Sequence, residues 1–83
     1  MIKVVAKGYF LEGKAEEAIK LYEELVEKTR KEEGCISYSL FRDIEDDSIL
    51  TMIEEWESKD ALDKHFKTEH FTKLVPMIGK LRK

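Results

Sequence analysis

The hydrophobic and polar positions of the chain follow two periods, one typical of strands and the other of helices. Ile2 to Phe10 is rich in residues with β propensity and is predicted to be a strand. From Lys14 to Lys31, apolar residues recur every three or four positions, which predicts an amphipathic helix. Gly8 indicates a bulge in the strand or a close approach of backbone or ligand, and Gly34 is placed to end the helix.

Two further segments alternate between apolar and polar residues, as strands with one buried face do. They run from Cys35 to Asp43 and from Ile49 to Glu57, and the mainly acidic residues 44–48 between them are typical of a turn. The two segments therefore predict an antiparallel hairpin. The residues predicted to share its apolar face are Ile36, Tyr38, Leu40, Leu50, Met52, Glu54 and Trp56.

The last third of the chain contains two signals for the start of a helix. Ser58 and Thr68 each precede an apolar pattern of helical period and are predicted N-caps. Pro76 lies within the second pattern and is predicted to bend or break it, because proline lacks a backbone donor and clashes with the preceding turn. The apolar stripes after the two caps are Ala61, Leu62, His65 and Phe66, and then Phe71, Leu74, Val75 and Ile78.

The predicted order β-α-β-β-α describes an α+β sandwich of ferredoxin-like type, with the helices on one face of an antiparallel sheet. The chain of 83 residues is expected to form a single domain, 1–83, with a thin core. Residues 80–83 are too few for a complete strand, so the last strand is expected to be short or missing. The other face of the sheet would expose apolar surface, and a homodimer that covers it with a second copy is expected.

The charges and the single cysteine exclude several classes of protein. The 15 basic and 18 acidic residues are interleaved and give a net charge of −3, which argues against nucleic acid or an anionic membrane as the main partner. No segment has the length and apolar character of a signal-peptide core or a membrane span. Because Cys35 is the only cysteine, an intrachain disulfide is excluded, and a soluble protein of a reducing, cytoplasmic compartment is expected.

Candidate chemistry concentrates between Glu54 and Phe71, where the chain passes from a strand into a helix. This run contains the only tryptophan, Trp56, and both histidines. The carboxylate of Glu54 stands among apolar residues on one strand face and should be desolvated unless a partner satisfies it. His65 falls on the inward stripe of its helix, where a titratable imidazole can take part in proton transfer.

Each of these residues also has an ordinary structural interpretation. Trp56 and Tyr38 can simply pack in the core. A hydrogen bond or an ion pair can satisfy Glu54, and His65 can be a buried histidine whose ring nitrogens are satisfied. His70 follows His65 by five positions, which places the two rings far apart on a continuous helix, so no shared metal site is expected.

Five short motifs follow one another along most of the chain. They are Gly13-Lys14; Glu33-Gly34-Cys35 with Tyr38; Asp43 with the acidic turn; Glu54 and Trp56 with Ser58; and Ala61-Leu62 with His65 and His70-Phe71. In this order and spacing the chain resembles the antibiotic biosynthesis monooxygenase family, whose members are small dimeric α+β barrels of ferredoxin-like fold. The resemblance implies a cofactor-independent monooxygenase that oxidises a small electron-rich aromatic molecule, such as a quinol or phenol, with O2.

The resemblance also implies which side chains serve the reaction. Trp56 would orient the substrate ring, and His65, with Glu54 or His70, would manage the proton. Neither a metal nor another cofactor is expected, because a deprotonated quinol can itself pass an electron to O2. The expected substrate-binding residues are Trp56, Tyr38, Met52, Leu62, Phe66 and Phe71.

A function of another class stays open, namely a small-ligand-binding or structural dimeric module without turnover. Some oxygenases of the family carry an Asn at the position of Met52, and the haem-degrading branch carries one near Gly8. The haem-ligating His of that branch falls at about Val75 in this chain, so haem is not expected.

Overall fold

The computed structural model describes all 83 residues and contains six elements in the order β-α-β-β-α-α. The strands are β1 (Ile2–Tyr9), β2 (Cys35–Arg42) and β3 (Ile49–Trp56), and each ends one residue before its predicted end. The helices are α1 (Ala15–Thr29), α2 (Lys59–Phe66) and α3 (Glu69–Gly79). The predicted α+β fold of ferredoxin-like type is confirmed. None of the three helices is sufficiently long and apolar to cross a membrane.

The sheet is antiparallel throughout, and its strand order β1-β3-β2 makes β3 the central strand. Because side chains alternate along a strand, every second residue of β3 faces the helices. The residues that β3 buries on this face are the predicted Leu50, Met52, Glu54 and Trp56.

The helices pack on one face of this sheet and on each other. α1 packs against β2 and α3, while α2 packs against β3 and α3. Removal of apolar side chains from water at these contacts is the main stabilising contribution in a domain of this size. The buried apolar core consists of Phe10, Ala18, Tyr22, Leu25, Tyr38, Leu50, Met52, Trp56, Leu74, Ile78 and Leu81.

The residues after α3 form a stub of a fourth strand along the free edge of β1. Arg82 bridges Phe10 in the antiparallel sense. Leu11 N donates to Leu81 O at 2.8 Å, and Lys83 N donates to Tyr9 O at 2.9 Å. Leu81 is buried, so the stub also closes one end of the core.

Gly8 and Gly34 have different structural roles. Gly8 pairs with Leu50 in an uninterrupted ladder, so the alternative of a bulge is wrong there. A Cβ at Gly8 would lie 2.9 Å from Cε2 of Phe10, so the group that approaches Gly8 is a side chain and not the predicted backbone or ligand. Gly34 has a left-handed φ of +89°, but it does not end α1, whose last residue is Thr29.

A bulge at the start of β2 overturns the predicted placement of Ile36. Cys35 pairs with Trp56 and Ser37 with Glu55, so Ile36 is the extra residue on its strand. Half of the Ile36 side chain is therefore exposed, at 50%.

Of the two effects predicted for Pro76, a break does not occur, since α3 continues through it to Gly79. The interruption lies instead at Lys67 and Thr68, between α2 and α3. Phe66 was expected on the buried stripe but is 46% exposed, because it ends α2 and His65 takes the inward position.

Candidate active site

Trp56 and Glu54 lie two residues apart on the inward face of β3 and bond to each other. The indole Nε1 donates a hydrogen bond of 3.0 Å to Glu54 Oε1, and Trp56 has no exposed surface. Burial raises the pKa of the Glu54 carboxyl, while the hydrogen bond from the Trp56 N–H acts in the opposite direction. The partner that satisfies this desolvated carboxylate is therefore the neighbouring indole.

His65 projects from α2 into a cluster of aromatic rings and is 1% exposed. Its ring centroid lies 4.7 Å from that of Trp56, 4.9 Å from that of Phe71 and 5.3 Å from that of Tyr38. Contacts on several sides restrict the rotation of the imidazole, so its two nitrogens point in fixed directions.

Both histidines reach one carboxylate, that of Glu32. His65 Nδ1 lies 2.8 Å and His70 Nε2 lies 2.6 Å from the same oxygen, Glu32 Oε2. The expectation that the two rings lie far apart is wrong, because the chain leaves the helix between them. Thr68 Oγ1 donates to His65 O at 2.8 Å and accepts from Phe71 N at 3.3 Å, so this side chain both closes α2 and caps α3.

A tight turn after α1 brings Glu32 to this position. Glu32 N donates to Thr29 O at 2.9 Å, so a hydrogen bond between residues three apart replaces the four-residue spacing of the α-helix. The turn lies directly against α2, since a Cβ at Gly34 would lie only 2.5 Å from Cβ of Ala61. This close packing sets Glu32 within reach of the imidazole of His65.

The shared carboxylate determines which ring nitrogens carry protons. An ionised carboxylate only accepts hydrogen bonds, so each nitrogen that bonds to it must be protonated. Neutral His65 then carries its proton on Nδ1, and the lone pair of its Nε2 faces the Tyr38 hydroxyl at 3.5 Å. Neutral His70 carries its proton on Nε2, which is the opposite tautomer.

The phenol of Tyr38 connects the imidazole to the core. Burial holds the pKa of Tyr38 well above its ordinary value, so the hydroxyl stays protonated and donates towards His65. Thr29 is completely buried, and its hydroxyl lies close enough to the Tyr38 hydroxyl to act against this rise in pKa. The Thr29 hydroxyl nevertheless forms no hydrogen bond of acceptable geometry, which is uncommon for a buried polar group.

The cluster is closed on its inner side and reaches solvent on its outer side. Trp56, Tyr38 and His65 are each 2% exposed or less, whereas Phe66 is 46% exposed and the side chain of His70 is 15% exposed. Two hollows of the surface lie elsewhere. One, of about 500 Å³, lies between the acidic turn and the start of α1, and the other lies between α1 and β2.

Most of the predicted site residues come together. Phe66 lies at the rim, with ring centroids 5.8 Å from His65 and 5.2 Å from Phe71. Met52 is buried in the core and Leu62 packs against it. The predicted residues that meet in one cluster are Tyr38, Glu54, Trp56, His65, His70 and Phe71.

Glu32 joins the two histidines, but it is not among the site residues that the sequence predicts. It is one of 18 acidic residues and stands in the charged run after α1, so its type and neighbours indicate a solvated surface. The nearest signal is Gly34, because a left-handed glycine marks a tight turn whose residues can approach another element.

Comparison with known proteins gives the family. Residues 1–76 match the model of the family described as antibiotic biosynthesis monooxygenase. The chain belongs to this family. A crystal structure of an antibiotic biosynthesis monooxygenase is 44% identical, with a TM-score of 0.95 over 100% of this chain and 87% of that chain. A conserved protein from Methanosarcina mazei is 38% identical, with a TM-score of 0.94 over 98% of this chain and 80% of that chain.

Relatives compared by sequence are longer than the segment they share with this chain. Uncharacterized protein sll1783 from Synechocystis is 42% identical over 62 residues, which are 75% of this chain and 42% of that protein. Putative monooxygenase YcnE from Bacillus subtilis is 34% identical over 75% of this chain and 65% of its own length. Putative monooxygenase Rv0793 from Mycobacterium tuberculosis is 33% identical over 74% of this chain and 59% of its own length.

Proposed function

We propose that this protein is a cofactor-independent monooxygenase that oxidises a small electron-rich aromatic molecule, a quinol or phenol, with O2. The observation that carries this proposal is the geometry of His65. Its Nδ1 is held by Glu32 at 2.8 Å, and its Nε2 faces a phenolic oxygen, that of Tyr38, at 3.5 Å. Membership of the family and the names of two relatives support the class of reaction.

His65 Nε2 is the proposed base. When this nitrogen takes a proton, the ring becomes an imidazolium, and the carboxylate of Glu32 beside Nδ1 stabilises that charge. In the proposed transfer, the Tyr38 proton moves to Nε2 and the substrate hydroxyl replaces it on the Tyr38 oxygen. His70 donates to the same carboxylate nearer to solvent and holds it beside His65, and the proton taken by Nε2 is returned when water forms.

The oxidation needs no external reductant. A quinol loses two protons and two electrons as it becomes a quinone, and these electrons and protons reduce one oxygen atom of O2 to water. The other oxygen atom enters the ring, and one hydroquinone with one O2 gives one hydroxyquinone and one water. The protein's part is to ionise the phenol, orient its ring and exclude water.

The substrate is proposed to enter from the side of Phe66 and Phe71. These rings lie at the outer side of the cluster, at the end of α2 and the start of α3, where the non-helical Lys67 and Thr68 separate the helices. Tyr38, Trp56, Met52 and Leu62 would form the apolar inner wall. Glu54 bonds to the indole at 3.0 Å, so its proposed role is to fix the Trp56 ring.

A homodimer is proposed through the outer face of the sheet. Val5, Tyr9 and Phe41 point away from the helices and are 63%, 50% and 52% exposed. A second copy of this face would remove these side chains from water. Sedimentation at micromolar concentration should give twice the chain mass of 9.8 kDa, and a mass near 9.8 kDa would overturn the dimer.

A ligand-binding module without turnover is the second candidate. Met52 favours it, because the Asn that some oxygenases of the family carry at this position is absent. This candidate predicts that quinols or quinones bind and change the emission of Trp56, without any uptake of oxygen.

Oxygen uptake with a panel of benzo- and naphthohydroquinones tests the monooxygenase. We expect uptake above the rate of autoxidation, and one atom from labelled O2 in the product. Replacement of His65 by Gln should reduce the rate by about 100-fold or more, since a positioned general base contributes this much. Uptake no faster than in buffer for every compound would overturn the proposal.

A matched variant separates this loss from general damage to α2. Asp63 lies two residues before His65 and is exposed, so Asp63→Asn should retain the wild-type rate. Equal rates in His65→Gln and Asp63→Asn would show that His65 is not the base.

A further inference from the structure

Three side chains from separate segments converge on one point: Glu32 from the turn after α1, His65 from α2 and His70 from α3. The donor atoms that they offer all lie within 4.8 Å of one another. We propose that these three side chains bind a divalent first-row transition metal ion through one carboxylate oxygen and two imidazole nitrogens. This site goes beyond the proposed oxidation, which uses no metal.

In the metal-free protein, hydrogen-bonding protons lie between the carboxylate oxygen and the two nitrogens, in the space that the ion would occupy. His65 Nδ1 and His70 Nε2 lie 2.8 Å and 2.6 Å from Glu32 Oε2. Around an ion with bonds of about 2.1 Å, neighbouring ligand atoms lie roughly 3.0 to 3.5 Å apart. Each of the two nitrogens must therefore move away from Glu32 Oε2 by less than about 1 Å to admit the ion.

The surroundings of His65 suit a metal ligand. A ligating histidine commonly donates its other N–H to an oxygen, which fixes the tautomer and the ring orientation. His65 Nε2 faces the Tyr38 hydroxyl at 3.5 Å, and the rings of Trp56 and Phe71 restrict the imidazole. This side chain is thus already oriented with Nδ1 towards Glu32.

The other two ligands leave room for solvent. The side chains of Glu32 and His70 are 13% and 15% exposed, so an ion reaches them from the surface. Three protein ligands also leave at least one position for water. Imidazole and carboxylate together suit Zn²⁺, Fe²⁺, Co²⁺, Ni²⁺ and Cu²⁺ better than Mg²⁺ or Ca²⁺, which prefer oxygen alone.

Metal binding has a definite consequence for the protons. The ion needs the lone pairs of His65 Nδ1 and His70 Nε2, which carry protons when these nitrogens bond to Glu32. Both neutral histidines must therefore exchange tautomers, and His65 then carries its proton on Nε2, facing Tyr38. Because Nε2 is the proposed base, Zn²⁺ should also inhibit the oxidation.

Calorimetric titration of the full chain with Zn²⁺ tests the site independently of any activity. We expect one ion per chain and an affinity at least tenfold lower in His70→Gln and in Glu32→Gln. Glu33→Gln is the matched control, because this exposed neighbour of Glu32 carries the same charge and lies outside the cluster. Absence of binding, a loss of less than tenfold in either ligand variant, or an equal loss in Glu33→Gln overturns the site.

Imidazole ¹⁵N spectra give a second readout that a different site would not produce. His65 and His70 are the only histidines, so two sets of signals are expected. Zn²⁺ should convert neutral His65 from the Nδ1–H to the Nε2–H form and His70 in the opposite direction. Saturation with Zn²⁺ that leaves either tautomer unchanged overturns the proposal, whatever the outcome of the oxygen-uptake assay.

Discussion

The imidazole of His65 lies against the indole of Trp56, with ring centroids 4.7 Å apart and ring planes inclined by 37°. The same indole donates its N–H to Glu54, so one buried ring connects the carboxylate of β3 with the imidazole of α2. A change at any of these three side chains is therefore expected to affect the other two.

Replacement of Trp56 by Phe is expected to lower the free energy of unfolding by about 2 to 3 kcal/mol. The smaller ring leaves space at a site with no exposed surface, and it removes the 3.0 Å hydrogen bond to Glu54. Urea unfolding followed by circular dichroism of the backbone measures the change.

The Glu54→Gln background is the control for this prediction. There the loss of the indole N–H no longer leaves a desolvated charge, so the same Trp56→Phe change should cost less. An equal cost in both backgrounds would show that the indole does not stabilise the Glu54 carboxylate.

The raised pKa of Glu54 gives its replacement by Gln a pH-dependent effect. Burial disfavours the ionised form in the folded state, so this residue's contribution to stability is lost as pH rises from the ordinary pKa of a glutamate through the raised value. Glu54→Gln should therefore melt at a higher temperature than the wild type at pH 7, and the difference should vanish below about pH 4. A difference that stays constant or grows as pH falls contradicts the assigned shift.

Thr29 offers a test of the unpartnered hydroxyl. Replacement by Val keeps the shape and removes a buried polar group that has no hydrogen bond, so we expect a stabilisation of about 1 kcal/mol. Replacement by Ser keeps the hydroxyl and removes a buried methyl group, which should destabilise by about 1 kcal/mol. A destabilised Thr29→Val variant would mean that the hydroxyl has a partner in solution.

Gly13 and Gly34 both have a left-handed backbone, so the effects of replacing each by alanine can be compared directly. Gly13 has φ +77° and open space around its Cα, so Gly13→Ala should cost only the backbone strain, about 1 to 2 kcal/mol. Gly34→Ala adds a contact of 2.5 Å with Ala61, and its total cost should reach about 3 kcal/mol or more. Thermal unfolding compares the two variants, and equal costs would argue against close packing of the Glu32 turn on α2.

Local patterns in the sequence predict the elements well where one face is buried and the caps are strong. The alternation of β3 correctly indicates that Glu54 and Trp56 face the core, and Ser58 and Thr68 cap α2 and α3 as expected. The exposure of Ile36 is not predicted by the alternation, because one extra residue in a strand reverses the face on which a side chain lies.

The convergence of the histidines depends on tertiary packing that no periodicity contains. The predicted Thr68 cap divides the helix, but the direction of α3 after the cap depends on its contacts with α1. The approach of Glu32 likewise depends on the turn at Gly34 and on Ala61 of the opposing helix. Spacing along the chain is informative within one element and says little about side chains on opposite sides of a break.

Control of both imidazoles by Glu32 is tested most directly by the imidazole ¹⁵N chemical shifts of the metal-free protein. We expect neutral His65 to carry its proton on Nδ1 and neutral His70 on Nε2, since each bonds through that nitrogen to one carboxylate oxygen. In Glu32→Gln both sets of shifts should change together. The same tautomer in both histidines, or a change in only one of them in Glu32→Gln, would contradict the shared carboxylate.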